Sequence, residues 1–166
     1  MNSIVQSIVT SLSGKISKEF IVFIVSMIPL LELRGSILAA GFLDGMKFLP
    51  TYIAAVIGNM LPIPFILLFI EKIFSVLKKS RHLHKIPEFL ERKAMSKSEQ
   101  IEKYGYLGLF CFVAIPFPGT GAWTGSLLTV LLGMNLKKSF VFIFLGVLTA
   151  GLIMSLLSFG ILQNIF

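Results

Sequence analysis

Two stretches of this sequence, 48–70 and 139–162, are long and apolar enough to cross a bilayer, while four others are apolar but too short. The first long stretch has 23 apolar or small residues, with Asn59 as its strongly polar member and Pro62 and Pro64 as points of bending. The short runs, 20–31, 35–43, 104–115 and 123–133, come in two pairs. As helices they reach only about 14 to 18 Å at 1.5 Å per residue, against a hydrocarbon core about 30 Å thick. Each pair therefore either stacks end to end as one broken span or folds back as a re-entrant hairpin.

Composition agrees with the bilayer reading. Some 55% of the 166 residues are drawn from AVILMFWYC and 14% are charged, too few charges to cover a water-facing surface. The length suits a single membrane domain over 1–166 and leaves no space for a soluble catalytic domain. Lys and Arg number 15 against 8 Asp and Glu, a net +7. Nine of the basic and five of the acidic residues lie in 71–103, which reads as a cytoplasmic loop. The excess thus reflects membrane topology and implies no nucleic-acid partner. Charge does not choose between hairpins and broken spans, since both place eleven basic residues inside and three outside. Residues 1–18 set Ile4, Val5, Ile8, Val9 and Leu12 on one face and read as an amphipathic helix in the interface.

The order short run, Pro-polar break, short run, turn, long span occurs twice. Ile28-Pro29 with Gly35-Ser36 in the first half matches Ile115-Pro116 with Gly125-Ser126 in the second. Interrupted segments at corresponding places in two halves are the best sequence pointer to a transporter site. The boundaries are a first repeat 19–70 (hairpin 19–43, span 48–70), the basic loop 71–103, and a second repeat 104–162 (hairpin 104–133, span 139–162).

Glu32 and Arg34 interrupt an otherwise apolar stretch, and an ionisable residue inside a membrane is costly enough to mark a functional site. Residues two apart on a regular helix do not face each other, so a direct pair requires irregular backbone there. Arg34 beside a half-helix starting near Gly35 and Ser36 makes an anion site. The second break offers Pro116, Gly119, Thr120, Gly121, Trp123, Thr124 and Ser126 as turn, cap or ligand positions, with Trp123 either an aromatic wall or an interface anchor. Burial favours the neutral form of Glu32 and Arg34 the charged form, so Glu32 is the candidate for proton coupling. His82 and His84 lack further ligands at metal spacing and read as a surface pair. Cys111 is the single cysteine, so no metal cluster or internal disulfide is expected, and no cofactor. Asn59 reads as a hydrogen bond between helices.

The two motifs, Ile28-Pro-Leu-Leu-Glu-Leu-Arg-Gly-Ser36 and Ile115-Pro-Phe-Pro-Gly-Thr-Gly-Ala-Trp-Thr-Gly-Ser126, resemble those of the small multidrug export protein family, itself similar to the DedA (VTT-domain) membrane proteins. The resemblance implies two opposed re-entrant hairpins meeting near mid-membrane, and hence an all-α fold of two inverted repeats behind an N-terminal amphipathic helix. It also implies transport, with lipid carriers such as undecaprenyl phosphate or other phospholipids as the substrate class.

The expected function is a proton-coupled transporter or flippase of an amphipathic anion, multi-pass in the inner (plasma) membrane, with membrane lipids and a second copy of the chain as partners. The alternative is an exporter of hydrophobic cations with Glu32 as counter-ion. No nucleophile and base cluster points to an enzyme.

Overall fold

The computed structural model describes residues 16–29, 31–40, 43, 45–79, 84–117 and 119–162. The expected interfacial helix over 1–18 lies outside them but for its last three residues, as does His82. Eight helices are described: α1 (Lys18–Met27), α2 (Glu32–Ala40), α3 (Phe48–Met60), α4 (Ile63–Lys79), α5 (Lys85–Met95), α6 (Glu99–Ala114), α7 (Ala122–Leu131) and α8 (Leu136–Leu162). There is no strand among the described residues.

Both breaks arise by one mechanism. A residue preceding proline is pushed out of the helical region, which ends a helix. Ile28, before Pro29, closes α1 at φ −75°, ψ 125°, and Ile115, before Pro116, closes α6 at φ −81°, ψ 118°. The start of α1 is fixed by Ser17, whose Oγ accepts the Phe20 N–H at 3.3 Å.

The long helices are longer than their apolar cores. The first candidate span runs Phe48–Lys79 through a turn at Leu61 and Pro62, and the second runs Leu136–Ser158. The span expected to stop at Ile70 therefore continues nine residues into the basic segment. Lys and Glu are good helix formers, so the change of polarity at Glu71 ends the apolar surface without ending the helix. In the same segment α5 begins at Lys85 with Pro87 in its first turn.

The distribution of side chains is that of a membrane protein. Phe65, Leu68, Val76, Leu107 and Leu156 are each more than 60% exposed on the outer faces. Ser26, Ser36, Thr51, Ser126, Thr129, Ser139 and Ser155 are fully buried between helices, where small polar residues let backbones approach. Ser26 donates to the Ala55 carbonyl at 2.6 Å, and Tyr52 to the Leu148 carbonyl at 3.0 Å, tying α1 to α3 and α3 to α8.

Each half lends its short helix to the other: α2 packs on α8, and α7 packs on α4. The repeated element order is nevertheless not a repeated packing. Phe23 faces Gly58 and Ser26 faces Ala55, so α1 runs antiparallel to α3. Tyr106 stacks on Phe142, and Phe110 faces Gly146, so that part of α6 runs parallel to α8. Inverted copies would keep one sense. At Gly105, φ 58°, ψ −129° also reverses the chain inside α6. A methyl group on Gly108 would lie 3.0 Å from Ile101 Cα, although seven residues of straight helix would separate them by about 10 Å. The arm 99–104 is thus folded back over 106–114.

Candidate functional site

The two breaks meet. Glu32 opens α2 at φ 49°, a left-handed conformation that costs a non-glycine residue about 1 to 3 kcal/mol. This irregularity is what lets residues two apart face each other: Arg34 Nη2 lies 3.8 Å from Glu32 Oε2. It also aims the Glu32 carboxylate at the second half, where Oε1 accepts the main-chain N–H of Trp123 at 3.2 Å. Trp123 is the second residue of α7. Gly121, the N-cap of that helix at φ 136°, has no side chain to cap with, and a Cβ there would collide with the Glu32 carboxylate. Glu32 therefore caps α7 from the other half of the chain, with its charge at the positive end of the helix.

Arg34 completes the junction from the same side. Its Nη1 donates to the Phe117 carbonyl and its Nη2 to the Thr120 carbonyl, so the fork holds the break by its backbone. Thr120 Oγ1 donates back to the carbonyls of Ile115 and Phe117 at 3.0 and 2.8 Å, closing the turn. Glu32 is 7% exposed at its side chain and Arg34 18%, so the pair is shielded but open at the guanidinium.

Other expected site residues take structural positions. Ser36 and Ser126 are buried and donate to carbonyls of their own helices, Leu33 at 2.9 Å and Ala122 at 2.7 Å. Thr124 is half-buried and bonds neither charged residue, and Pro116 is half-buried in the break. Gly119 lies at φ 80°. Trp123 packs against the core, and its indole N–H is buried without an acceptor among the described residues, while the buried Asn59 side-chain oxygen has no donor there. The interhelical hydrogen bond expected of Asn59 is therefore not made through its oxygen. No group of three metal-ligating side chains occurs among the described residues.

Lys97 is a member of the site that sequence reasoning placed in a loop. The reversal at Gly105 brings its Nζ against Gly119, which lies in sequence between the two residues whose carbonyls Arg34 holds. The signal was Gly105 itself, an isolated glycine between Tyr104 and Tyr106 in a helical pattern.

The depth of the junction follows from Leu33, whose Cδ1 would lie 3.3 Å from a Cβ at Gly151. Gly151 is about 22 Å along α8 from Leu136 and about 10 Å short of Ser158, at 1.5 Å per residue. The junction is level with the membrane-length part of α8, displaced toward one end.

An all-helical chain with two membrane-length helices and a charged junction between two helix breaks defines a small multi-pass membrane protein. The model of the family described as "Putative small multi-drug export protein" matches residues 32–153, from Glu32 through the second break and most of α8. The chain belongs to that family. No curated protein and no solved structure matched it.

Proposed function

We propose that the protein is a proton-coupled transporter of an amphipathic anion, a lipid phosphate being the best fit, working at the junction of the two breaks. The observation that carries the reading is the position of the Glu32 carboxylate. It occupies an anion site made by the N-terminus of α7 and the guanidinium of Arg34. Protonation of Glu32 weakens its hold on both, and a substrate phosphate can then replace it. Substrate and carboxylate compete for one place, which couples the two without any other moving group.

In this reading the breaks are the tips of re-entrant hairpins and the basic segment 71–103 is cytoplasmic, in the inner membrane, with two copies of the chain forming the working unit. The likeness of the motifs to DedA-like proteins and the half-helix geometry both support it. A second reading, export of hydrophobic cations with Glu32 as counter-ion, is favoured by the description of the family. At the junction it is disfavoured by charge, because a cation would have to displace Arg34 and sit at the positive end of α7.

The deciding experiment is reconstitution into liposomes carrying a fluorescent lipid phosphate or a lipophilic cation. We expect transbilayer movement of the lipid phosphate that rises with an imposed proton gradient and is lost in Arg34→Ala. Movement of the cation alone, or lipid movement indifferent to Arg34→Ala, would reject the reading.

A further inference from the structure

We propose that the outward face of α5 is a docking surface for anionic lipid head groups and holds this helix in the bilayer interface, whatever the junction carries. Within the charged segment 71–103, α5 divides into three faces at helical spacing. Pro87 and Ala94 are buried and Glu91 is half-buried, so positions 87, 91 and 94 pack on the protein. Ile86, Phe89 and Leu90 are 47%, 52% and 39% exposed and form an apolar stripe that ends at Lys93. Lys85, Glu88 and Arg92 make the third, polar face and are exposed.

Depth and charge say what covers the stripe. Glu91 pairs with Lys78 at 2.7 Å and lines one cavity with Ile70, Glu71 and Phe74 of α4. The middle of α5 is therefore level with the place where α4 turns from apolar to charged, which is where hydrocarbon gives way to head groups. Lys93 Nζ stands 5.8 Å from the centre of the Phe89 ring, so a charge lies beside the apolar stripe, as on a lysine that snorkels at a membrane surface. With Glu91 matched by Lys78, α5 presents Lys85, Arg92 and Lys93 against Glu88 alone, and neither Lys85 nor Arg92 has an ion-pair partner among the described residues. Apolar side chains flanked by unmatched basic ones fit acyl chains beneath anionic head groups. A second copy of the chain fits poorly. Three side chains on an eleven-residue helix fall short of the ~800 Å² that each partner of a stable interface buries, and a symmetric pairing would bring like charges together.

The test attaches the environment-sensitive fluorophore NBD at position 86, through Ile86→Cys in a Cys111→Ser background, with one copy of the full-length protein per nanodisc. In phosphatidylcholine containing phosphatidylglycerol, its emission should shift to the blue and be quenched by lipid that carries a nitroxide near the head group. A label at Glu88→Cys, on the polar face, should instead be quenched by acrylamide in the water. Removing the phosphatidylglycerol should weaken the lipid quenching at 86, and Lys85→Gln with Arg92→Gln should abolish that dependence on lipid charge. Leu90→Cys, on the same stripe, gives the same reading should the variant at 86 fail to fold. Quenching from acrylamide rather than lipid at 86, or equal lipid quenching at 86 and 88, overturns the docking surface. Lipid quenching that is the same with and without phosphatidylglycerol overturns the choice of an anionic head group. A blue shift that requires two copies per disc and comes without quenching from lipid gives the face to a second copy of the chain and overturns the proposal.

Discussion

Glu32 and Trp123 lie in different halves of the chain, yet Glu32 Oε1 accepts the Trp123 main-chain N–H at 3.2 Å. A carboxylate beside one helix break thus starts the helix that follows the other. The bond joins a strained residue, Glu32 at φ 49°, to a helix whose own N-cap is a glycine. Strain of this kind persists only where the surroundings over-determine it, and here those surroundings are the second half of the protein.

Removing the cap should be costly. Glu32→Ala is expected to destabilise the protein by about 1 to 2 kcal/mol, the usual worth of an N-cap. Glu32→Gln keeps an acceptor for Trp123 and should retain most of the stability, while flattening the dependence of transport on the proton gradient. Thermal unfolding in detergent separates the two effects from a flux assay in liposomes.

Arg34 holds two carbonyls with one planar group, a geometry lysine cannot copy. Arg34→Lys should therefore recover less than half of what Arg34→Ala loses, which we expect to be about 2 kcal/mol for charge-assisted hydrogen bonds in a shielded place. Denaturant unfolding of both variants gives the comparison.

Gly121→Ala should be worse than an ordinary glycine substitution. The residue stands at φ 136°, and a methyl group would enter the space of the Glu32 carboxylate. The double variant Gly121→Ala with Glu32→Ala relieves the collision, so the two losses should be less than additive by about 1 kcal/mol or more in a double-mutant cycle.

Cys111 offers a probe of depth, being the sole cysteine and exposed on α6. Its neighbour Phe110 faces Gly146, about 15 Å along α8 from Leu136 at 1.5 Å per residue. In intact liposomes it should resist a charged maleimide and react once detergent removes the bilayer. Rapid labelling in the intact membrane would place that face of α6 in water.

Tyr52 ties α3 to α8 through the Leu148 carbonyl at 3.0 Å. Tyr52→Phe should cost about 1 kcal/mol, as for a typical net hydrogen bond, and leave transport intact. Calorimetry alongside the liposome flux assay checks both parts.

Much of this architecture could be read from residue order. The two membrane-length helices follow from apolar runs, and the two breaks from Ile-Pro pairs whose effect on the preceding residue is local. The pairing of Glu32 with Arg34 and their approach to 115–126 follow from the expense of leaving charges alone in an apolar place. What could not be read lay outside the apolar pattern. The helix from Ile63 runs to Lys79 because good helix formers continue where apolar residues stop. The position of Lys97 depends on one backbone angle at Gly105, to which hydrophobic periodicity is blind. The expectation of two inverted copies came from the length of the short runs and from the family resemblance, neither of which carries information on whether a helix runs along or against its neighbour.

Among the described residues, the hydrogen bonds from Arg34 to the second break go to main-chain oxygens. Every residue type supplies the same oxygen, so the side chain at 117 can change with little effect on the grip provided the path of the backbone is kept, whereas the one at 120 also closes the turn through the Thr120 hydroxyl. Phe117, 69% exposed, is free to vary in this sense. Gly119 and Gly121 are not, because their angles draw that path. Random mutagenesis across 115–121 should then return a pattern set by shape, tolerant of chemistry at 117, restricted to a hydroxyl at 120 and intolerant at the positions that bend.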